Sequence, residues 1–474
     1  MPVGDASGLE DRVAVRSLLA IILSAVFVSV MTQSLINVVV PVIGEDFGAS
    51  EGQVGWVITG YLLVFAVGIP LYGRISDLYS LRRTFSLGLL GLAAGSVVCA
   101  LASNLPALVA GRILQAAGSS AIPALGFAAI AGVLPPGRRG SALGLLSSSV
   151  GIGAAVGPIV GGLIAGFADW RILFYGTLSL ALLLAVAAWR VLPDIALGGD
   201  ATKNRSFDLP GGLFLALASG LALFGVTHGQ AAGFSSASSW GSFLLAAFSA
   251  LLFAWRIRRA DEPFVSPSLF RNRAFLAGTL VGFFAMFANL SGLVLAPFLL
   301  SGVNGLSSIG VGLALVPGAV ALALLSPVAG QLSDRIGARV PIYAGLLIML
   351  LSVLFLSSFG AGAPAVLVAV GMLGLGIGFA GVNSPAANAT AATLRGGETG
   401  VGLGIYQMLF FLGGGFGSAI AGAFLAARRE IGAGALNPFY SLNASPYSDA
   451  FLVVAVALLI AFAASSSLKA RVKE

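Results

Sequence analysis

The stretch that decides the fold is Gly73–Arg83, which reads GRISDLYSLRR, and it has a second copy at Gly330–Arg339, which reads GQLSDRIGAR. In both, a Gly is followed after three residues by an Asp, and a basic residue stands within five positions of that Asp. Each stretch follows one long apolar segment and precedes another. A motif that recurs at matching positions indicates an internal duplication of the chain.

Composition identifies the whole chain as a membrane protein. Of its 474 residues, 58% are hydrophobic and only 9% carry a formal charge, and the mean hydropathy is +1.01. Soluble domains carry charge on about a quarter of their residues, so this chain has too few polar side chains to cover a soluble surface. The composition argues against a soluble enzyme, a disordered chain and a nucleic-acid binder. The single cysteine, Cys99, permits no intramolecular disulfide.

The apolar segments predict a bundle of fourteen membrane spans. A spanning helix needs about 20 mainly apolar residues, and lipid offers no hydrogen bonds to bare backbone. None of the segments has the alternation of a membrane barrel, so we expect an all-α protein. Spans 1 to 14 are predicted at residues 17–43, 53–72, 84–103, 106–133, 141–167, 171–192, 209–229, 239–257, 274–302, 309–332, 340–360, 364–392, 399–426 and 449–468.

Lysine and arginine predict the orientation of the bundle. Twenty-one of the 25 lie at the termini or in the connections that follow even-numbered spans, three lie in the other connections, and Arg112 lies within a span. Basic connections stay in the cytoplasm, so we expect both termini to be cytoplasmic. We call the side with the 21 residues the basic side. The net charge of +7 is therefore a topology signal that requires no anionic partner.

The repeat divides the chain into two six-helix halves. If spans 1–6 and 9–14 are two copies, the quoted stretches coincide, and so do two glycine-rich spans. Span 5 holds Gly153-x3-Gly157-Pro158-x2-Gly161-Gly162, and span 13 holds glycines between residues 413 and 417. We predict an N-terminal half at 1–192, a linker with extra spans 7 and 8 at 193–273, and a C-terminal half at 274–474. Such halves are typical of transporters with a substrate path between them.

These features resemble the major facilitator superfamily, and within it the fourteen-helix drug:proton antiporters, which include tetracycline and multidrug exporters. Three signatures carry the resemblance: the loop at residues 73–83, Arg112-x2-Gln115-x2-Gly118 on span 4, and the glycine run on span 5. Asn37-x3-Pro41 on span 1 is a partial fourth. The resemblance covers residues 17–468 and implies the major facilitator fold with an extra helix pair.

The resemblance implies that Asp77 and, by pseudosymmetry, Asp334 belong to charge relays that close the cytoplasmic side. The positive end of span 13, beside Arg395, is the partner expected for Asp77, and the positive end of span 5 is the partner expected for Asp334. Ser80 and Leu81 stand where the family has Gly and Arg, so the first relay is expected to be thinner. The residues expected in the two relays are Asp77, Arg82, Arg83, Arg395, Asp334, Arg335, Arg339 and Arg138.

Arg112 is the one charged residue in the interior of a predicted span, away from the span ends. A guanidinium at membrane depth costs several kcal/mol when unpaired, so an intramembrane arginine is functional by default. The resemblance assigns its position to proton coupling or to the handling of substrate charge. The structural alternative is an arginine that is bonded to carbonyl oxygens and to Gln115.

The glycine run on span 5 allows close approach of a neighbouring helix, and Pro158 bends the span. In the family this motif supports the interface between the halves and limits ion leak; ordinary helix packing is the alternative. The motif residues are Gly153, Gly157, Pro158, Gly161 and Gly162.

A carboxylate is missing from the place where many multidrug members carry one. That position, five residues before Asn37, is Thr32, and none of the 18 acidic residues lies deep in a span. Asp77, Glu398 and His228 remain as candidates for the proton site. Polar residues expected along a substrate path are Gln33, Asn37, Gln115, Asn289, Asn383, Asn388 and Gln407, with Tyr61 and Tyr406 as walls. The clusters Phe283-Phe284-Phe287 and Phe410-Phe411 either wall an apolar drug site or face lipid and core.

The sequence therefore predicts a secondary transporter of the cell membrane that exports hydrophobic or amphipathic compounds by alternating access. Exchange for protons is what the family resemblance implies. The expected partners are a small-molecule substrate, protons and the bilayer, with no nucleic acid, metal or cofactor, and we expect a monomer. No Walker-type phosphate loop is present, so ATP is not the direct energy source. The alternative is a facilitator or exporter of another solute, such as a lipid, a metabolite or an organic anion. A membrane-embedded enzyme or a channel fits poorly, because catalytic clusters, charged rings and filter loops are missing.

Overall fold

The computed structural model describes residues 4–198, 207–234, 236–395, 397–432 and 434–468. Lys203, Arg205, Lys469, Arg471 and Lys473, which contribute to the predicted basic side, lie outside these ranges. The described chain is helical, with one π-helical turn at Leu356–Gly360. Its α-helices are Gly4–Asp46, Glu51–Val54, Trp56–Leu78, Leu81–Ala100, Leu105–Ser119, Ala121–Val133, Pro136–Phe167, Arg171–Val191, Leu209–Ala232, Ala237–Arg259, Pro267–Arg271, Arg273–Gly302, Ser308–Ile336, Arg339–Phe355, Ala365–Ala391, Thr399–Ile431 and Ser445–Ser465.

Fourteen helical segments of the described chain are long and apolar enough to cross a membrane, and they coincide with the fourteen predicted spans. The prediction of an all-α bundle is therefore confirmed. Two interruptions were not predicted. Span 4 consists of two helices that meet at Ser120, where Pro123 supplies no N–H group for the preceding turn. Span 11 ends in the π-helical turn.

The helices form two compact units, which do not coincide with simple stretches of chain. The first unit comprises Met1–Leu134, Ser149–Gly212 and Arg395–Ile405; the second comprises Pro135–Ser148, Leu213–Leu394 and Tyr406–Glu474. The start of span 13 therefore packs with helices of the N-terminal half, and the start of span 5 packs with helices of the C-terminal half.

Each unit has its own apolar core. In the first unit, Leu35, Ile36 and Val57 of spans 1 and 2 pack with Trp170 and Phe174 at the start of span 6. In the second unit, a larger cluster joins spans 9, 11, 12 and 14, and its members include Leu295, Leu346, Met349, Val382, Phe451 and Leu458.

The beginning of the linker after span 6 folds back onto the Gly73–Arg83 loop. Leu81 donates its N–H to the carbonyl of Ile195 at 2.8 Å, and Leu197 donates to the carbonyl of Ser76 at 2.9 Å. Ser80 and Ala196 form an antiparallel bridge. The residues at 192–198 thus form a strap, and we use this name for them below.

A buried ion pair fastens the connection between spans 13 and 14. Asp449 is fully buried and contacts Arg428 at 2.6 Å. The other carboxylate oxygen accepts the N–H of Leu436 at 2.7 Å, and Arg428 also donates to the carbonyl of Gly434 at 2.6 Å. Nearby, Asn437 donates to Ser357 of span 11 at 2.9 Å. The polar atoms of this connection are therefore satisfied by three neighbouring spans.

Candidate functional site

Asp77, at the end of span 2, is bound to the start of span 13. Its side chain is fully buried, and its two oxygens accept the backbone N–H groups of Gly400 at 2.7 Å and Val401 at 2.8 Å. The first N–H groups of a helix have no partner within the helix and carry its positive dipole end. The partner predicted for Asp77 is thus the partner observed.

Asp334, at the end of span 10, makes the corresponding contact with the start of span 5. Its oxygens accept the N–H groups of Gly140 and Ser141, each at 2.9 Å. Asn388 of span 12 lies 3.4 Å from the same carboxylate and donates to Ser333 at 3.0 Å. The duplication seen in the sequence is thus repeated as a duplicated contact between a motif aspartate and a helix start.

Glycine and proline bring the backbones together at both contacts. A β-carbon at Gly73 would overlap the carbonyl oxygen of Gly400, and a β-carbon at Gly404 would lie 3.0 Å from Cα of Pro70. In the second copy, the same relations join Gly330 to Gly140 and Pro327 to Gly144. Larger residues at these positions would push the helix starts away from the aspartates.

Two of the three arginines expected in the first relay contact the strap. Arg82 donates to the carbonyl of Leu192 at 2.6 Å, and Arg83 lies 3.9 Å from Asp194, so both bind the strap. Arg395 is exposed. Arg82 and Arg83 thus contact the strap, while backbone N–H groups of span 13 bind Asp77. The relay through the three arginines stays a prediction.

Ser80 helps to hold the strap against the Gly73–Arg83 loop. Its hydroxyl donates to Asp194, which the family's glycine at this position cannot do. The Ser80 hydroxyl and the neighbouring Arg83 and Arg82 hold the pKa of Asp194 below its usual value. Asp194 is therefore a carboxylate throughout the physiological pH range.

The arginines expected in the second relay lie on the basic side of the second unit. Arg138 and Arg335 are exposed. Arg339 places its guanidinium carbon 5.4 Å from the ring centre of Tyr343. Arg139 and Arg339 line a cavity beside Asp334.

Arg112 of span 4 is buried in the first unit without a carboxylate partner in the described chain. Its Nη1 donates to Gln115 at 2.7 Å, and its Nε donates to the carbonyl of Val57 at 3.4 Å. The guanidinium carbon lies 4.1 Å above the ring of Tyr61, a cation–π distance. Gln115 in turn donates to Ser96 at 2.7 Å. The charge is thus stabilised by neutral groups from spans 2, 3 and 4.

Hydroxyl groups continue this cluster towards span 1. Tyr61 donates to Ser119 at 2.8 Å, and Ser119 lies 2.5 Å from Ser29 of span 1. Thr32, which stands where many relatives carry an acid, is fully buried and lies 3.4 Å from Thr177 of span 6. A hydroxyl contact between spans 1 and 6 thus occupies the place of the missing carboxylate.

The glycine run of span 5 faces span 1. A β-carbon at Gly153 would lie 2.8 Å from the carbonyl oxygen of Phe27, and one at Gly161 would lie 2.5 Å from that of Leu35. Gly157 faces Ser34 and Met31, Gly162 faces Val38, and Pro158 lies within the helix. The small face of this motif is thus filled by span 1 of the same half, as ordinary helix packing requires. A role of the motif at the interface between the halves stays a prediction.

The remaining polar residues predicted along a path come from both units. Gln33 and Asn37 lie on span 1, and Asn289, Asn383 and Gln407 lie on spans 9, 12 and 13. None of the five makes a hydrogen bond within the described part of the chain, and none has a sealed, unsatisfied polar atom. Their amide groups therefore reach accessible space, as the lining of a wet path requires.

The phenylalanines predicted as walls form two clusters in the second unit. Phe283 contacts Phe284 at a ring distance of 5.1 Å and Phe416 at 6.4 Å, while Phe284 and Phe287 are 6.4 Å apart. Phe410 joins the rings of Phe379, Tyr406 and Phe411 at 5.6–6.2 Å. His228 stacks at 5.4 Å on Phe224 of its own helix.

Sequence reasoning missed two longer repeats, and it also missed the Arg428–Asp449 pair and the strap. Pro70-x2-Gly73-x3-Asp77 recurs as Pro327-x2-Gly330-x3-Asp334, and Gly140-x3-Gly144 recurs as Gly400-x3-Gly404. These longer repeats mark the surfaces that meet at the two aspartates. The Arg428–Asp449 pair and the strap carried no comparable pattern. Within the described residues, no three His, Cys, Asp or Glu side chains come together as a metal site would require.

Fourteen spans, a duplicated helix-end contact and an intramembrane arginine define a polytopic membrane transporter. The sequence profile of the Major Facilitator Superfamily matches residues 22–418. The chain belongs to this family, as the sequence motifs predicted. It is a multi-pass transporter of the cell membrane and not an enzyme.

Among the proteins with similar sequences are several resistance proteins. The multidrug resistance protein Stp of Mycobacterium tuberculosis is 30% identical, with coverage of 83% of this chain and 72% of that protein. The tetracenomycin C resistance and export protein of Streptomyces glaucescens is 29% identical over 89% of this chain and 78% of that protein. The riboflavin transporter RibZ of Clostridioides difficile is also 29% identical, over 86% of this chain and 88% of that protein.

Solved structures agree on the fold. The human organic anion transporter MFSD10 superposes with a TM-score of 0.68 at 16% identity and covers 95% of this chain and 99% of its own. The proton:xylose symporter XylE gives a TM-score of 0.66 at 16% identity, with 95% and 96% coverage. The predicted major facilitator fold is therefore confirmed.

Proposed function

We propose that this protein exports hydrophobic or amphipathic compounds across the cell membrane by alternating access. The observation that carries the proposal is the repeated contact of a motif aspartate with a helix start, Asp77 with span 13 and Asp334 with span 5. Each contact joins helices from the two halves that the sequence predicts.

These contacts have the strength that a switch requires. A hydrogen bond to a charged group contributes about 1.5–3 kcal/mol, and a ligand shifts an equilibrium only by its differential affinity for the two states. A few such bonds hold one state, and binding of a substrate or a proton supplies enough free energy to release it. In the proposed cycle, the basic side is cytoplasmic and the two contacts keep it closed.

Exchange for protons is the proposed energy source. Protonation of Asp77 removes the negative charge that the start of span 13 attracts, so it loosens the closed side. Arg112 lies among neutral partners and is the second proposed coupling element, because its charge favours an anionic neighbour during the cycle. The likeness to drug-resistance proteins and the two phenylalanine clusters support an apolar or amphipathic cargo.

A second candidate function is the transport of a metabolite or an organic anion without proton exchange. The absence of a carboxylate beside Arg112 in the described chain favours it, since the substrate would then supply the negative charge. The similarity to a riboflavin transporter points in the same direction.

Purified protein in liposomes with an imposed pH gradient distinguishes the two functions. We expect uptake of a hydrophobic drug such as a tetracycline to move protons the opposite way, as followed by a pH dye inside the vesicles. Arg112→Gln removes the intramembrane charge and should abolish this transport. Arg190→Gln, at an exposed arginine on the basic side, is its control. Substrate movement without proton flux would contradict the exchange, and movement of riboflavin but no drug would favour the second function.

A further inference from the structure

A cavity of about 330 Å³ opens beside Asp334 on the basic side of the second unit. It lies among the start of span 5, the connection between spans 10 and 11, and the ends of spans 12 and 14. Its charged and polar lining consists of Arg139, Arg339, Asp334, Asn388, Ser333 and Thr393. This volume is at the lower limit of small-molecule sites, so it suits one polar headgroup better than a whole drug.

The cavity has an excess of positive charge. Asp334 is its one carboxylate in the described chain, and that carboxylate already accepts the N–H groups of Gly140 and Ser141. Arg139 and Arg339 both line the space. Leu468, after span 14, also lines the cavity.

The internal repeat indicates what such a place binds. Arg339 is the counterpart of Arg82, since each is the fifth residue after its motif aspartate. In the first half, the strap covers the equivalent place. Arg82 donates to the carbonyl of Leu192 in the strap, and Asp194 of the strap accepts a hydrogen bond from Ser80 and pairs with Arg83. In the first copy, the strap thus supplies a carbonyl oxygen to Arg82 and a carboxylate to Arg83.

We propose that the cavity of the second copy binds a phosphate-type anion between Arg139 and Arg339. Guanidinium groups form charge-assisted, often bidentate hydrogen bonds with phosphate, and basic pockets between spans on the cytoplasmic side hold anionic lipid headgroups. The phosphate oxygens take the place that the oxygens of the strap have in the first copy. It comes from an anionic phospholipid or from free phosphate in solution, and the two sources share this chemistry.

Thermal unfolding of the full chain in lipid-depleted detergent tests the proposal. The midpoint is measured against increasing phosphatidylglycerol, phosphatidylcholine, and sodium phosphate with chloride of equal ionic strength as reference. We expect the half-saturating concentration of the anion to rise about tenfold in Arg339→Gln and in Arg139→Gln, the loss of one charge-assisted hydrogen bond. Arg190→Gln is the matched control, and Arg339→Lys should recover part of the affinity.

The lipid titration and the phosphate titration distinguish the two sources of the anion. A variant-dependent effect of phosphatidylglycerol alone assigns a lipid headgroup, and a variant-dependent effect of phosphate assigns a soluble anion. Equal protection of all variants, or equal protection by phosphatidylcholine, would overturn the proposal. Phosphate binding that emerges only after removal of residues 469–474 would also overturn it, because the chain's own end would then be the occupant.

Discussion

The carboxylate of Asp77 lies 2.7 Å from the backbone nitrogen of Gly400, so the end of span 2 is bound to the first turn of span 13. This relation depends on the absence of side chains. Because Gly73 and Gly400 carry no β-carbon, their backbones meet closely enough for the carboxylate to reach two N–H groups. Asp334 and Gly140 repeat the relation in the second copy at 2.9 Å.

Asp77→Asn should weaken the closed state. The amide keeps one acceptor but loses the charge, which corresponds to about 1–3 kcal/mol for a buried charged acceptor. We expect transport to fall at least tenfold and cysteines introduced on the basic side, in a Cys99→Ser background, to become more reactive. Asp334→Asn should act in the same direction.

Asp261→Asn, at an exposed aspartate of the connection between spans 8 and 9, is the control for both. Unchanged transport and unchanged labelling in Asp77→Asn would show that the contact serves topology alone.

Arg112→Lys should strongly lower transport although it keeps the positive charge. An ammonium group can neither bridge Gln115 and Val57 with the same fork nor stack on Tyr61 in the same way. We expect a loss of tenfold or more in the initial rate in liposomes, with near-normal yield of folded protein. Gln115→Ala should give a smaller loss, since it removes one partner of the guanidinium. Full activity of Arg112→Lys would exclude a role of the planar group.

Gly157→Ala should destabilise the protein. Its β-carbon would overlap Ser34 and lie 2.8 Å from the carbonyl oxygen of Met31, and overpacking costs about 1–3 kcal/mol. The measurement is the midpoint of thermal unfolding in detergent. Gly166→Ala is the matched control on the same helix, because nothing lies within 4 Å of its added methyl group. It should be neutral or slightly stabilising through helix propensity. Equal midpoints for both variants would contradict the packing of span 5 on span 1.

Loss of one partner of the Arg428–Asp449 pair should be strongly destabilising. The pair is buried, so Asp449→Asn leaves Arg428 without its counter-charge, at a cost of about 3–5 kcal/mol. The double substitution Arg428→Met with Asp449→Leu should recover part of the stability, and a double-mutant cycle of unfolding midpoints gives the coupling. Additive losses in the cycle would mean that the two groups do not interact.

Asp194 should fasten the strap independently of pH in the physiological range. Its pKa is lowered below the usual value, chiefly by the Ser80 hydroxyl. The stabilisation is therefore present above about pH 4 and is lost as the pH falls through the lowered value. Asp194→Asn should speed amide exchange at Leu81 and Leu197, which donate across this contact, at every pH between 5 and 8. Protection that changes within that range would contradict the assignment.

The sequence by itself determined the fold class, the number of spans and the places of the functional motifs. A segment that crosses the bilayer must be long and apolar, and its backbone must form its hydrogen bonds internally, because lipid offers none. Fourteen long apolar segments therefore form fourteen helices. The repeated aspartates also pointed to the helix ends that they bind, because a duplicated motif must occupy equivalent places in duplicated halves.

Only the tertiary structure decided which groups satisfy each charge. Arg82 and Arg83 turned out to bind the strap, and the glycines of span 5 turned out to face span 1. The pairing of Arg428 with Asp449 also became visible only in three dimensions. Span positions follow from local hydropathy, whereas partners depend on distances between residues far apart in the chain. A charged side chain binds whichever suitable group lies within about 3 Å. Helix packing determines which group that is.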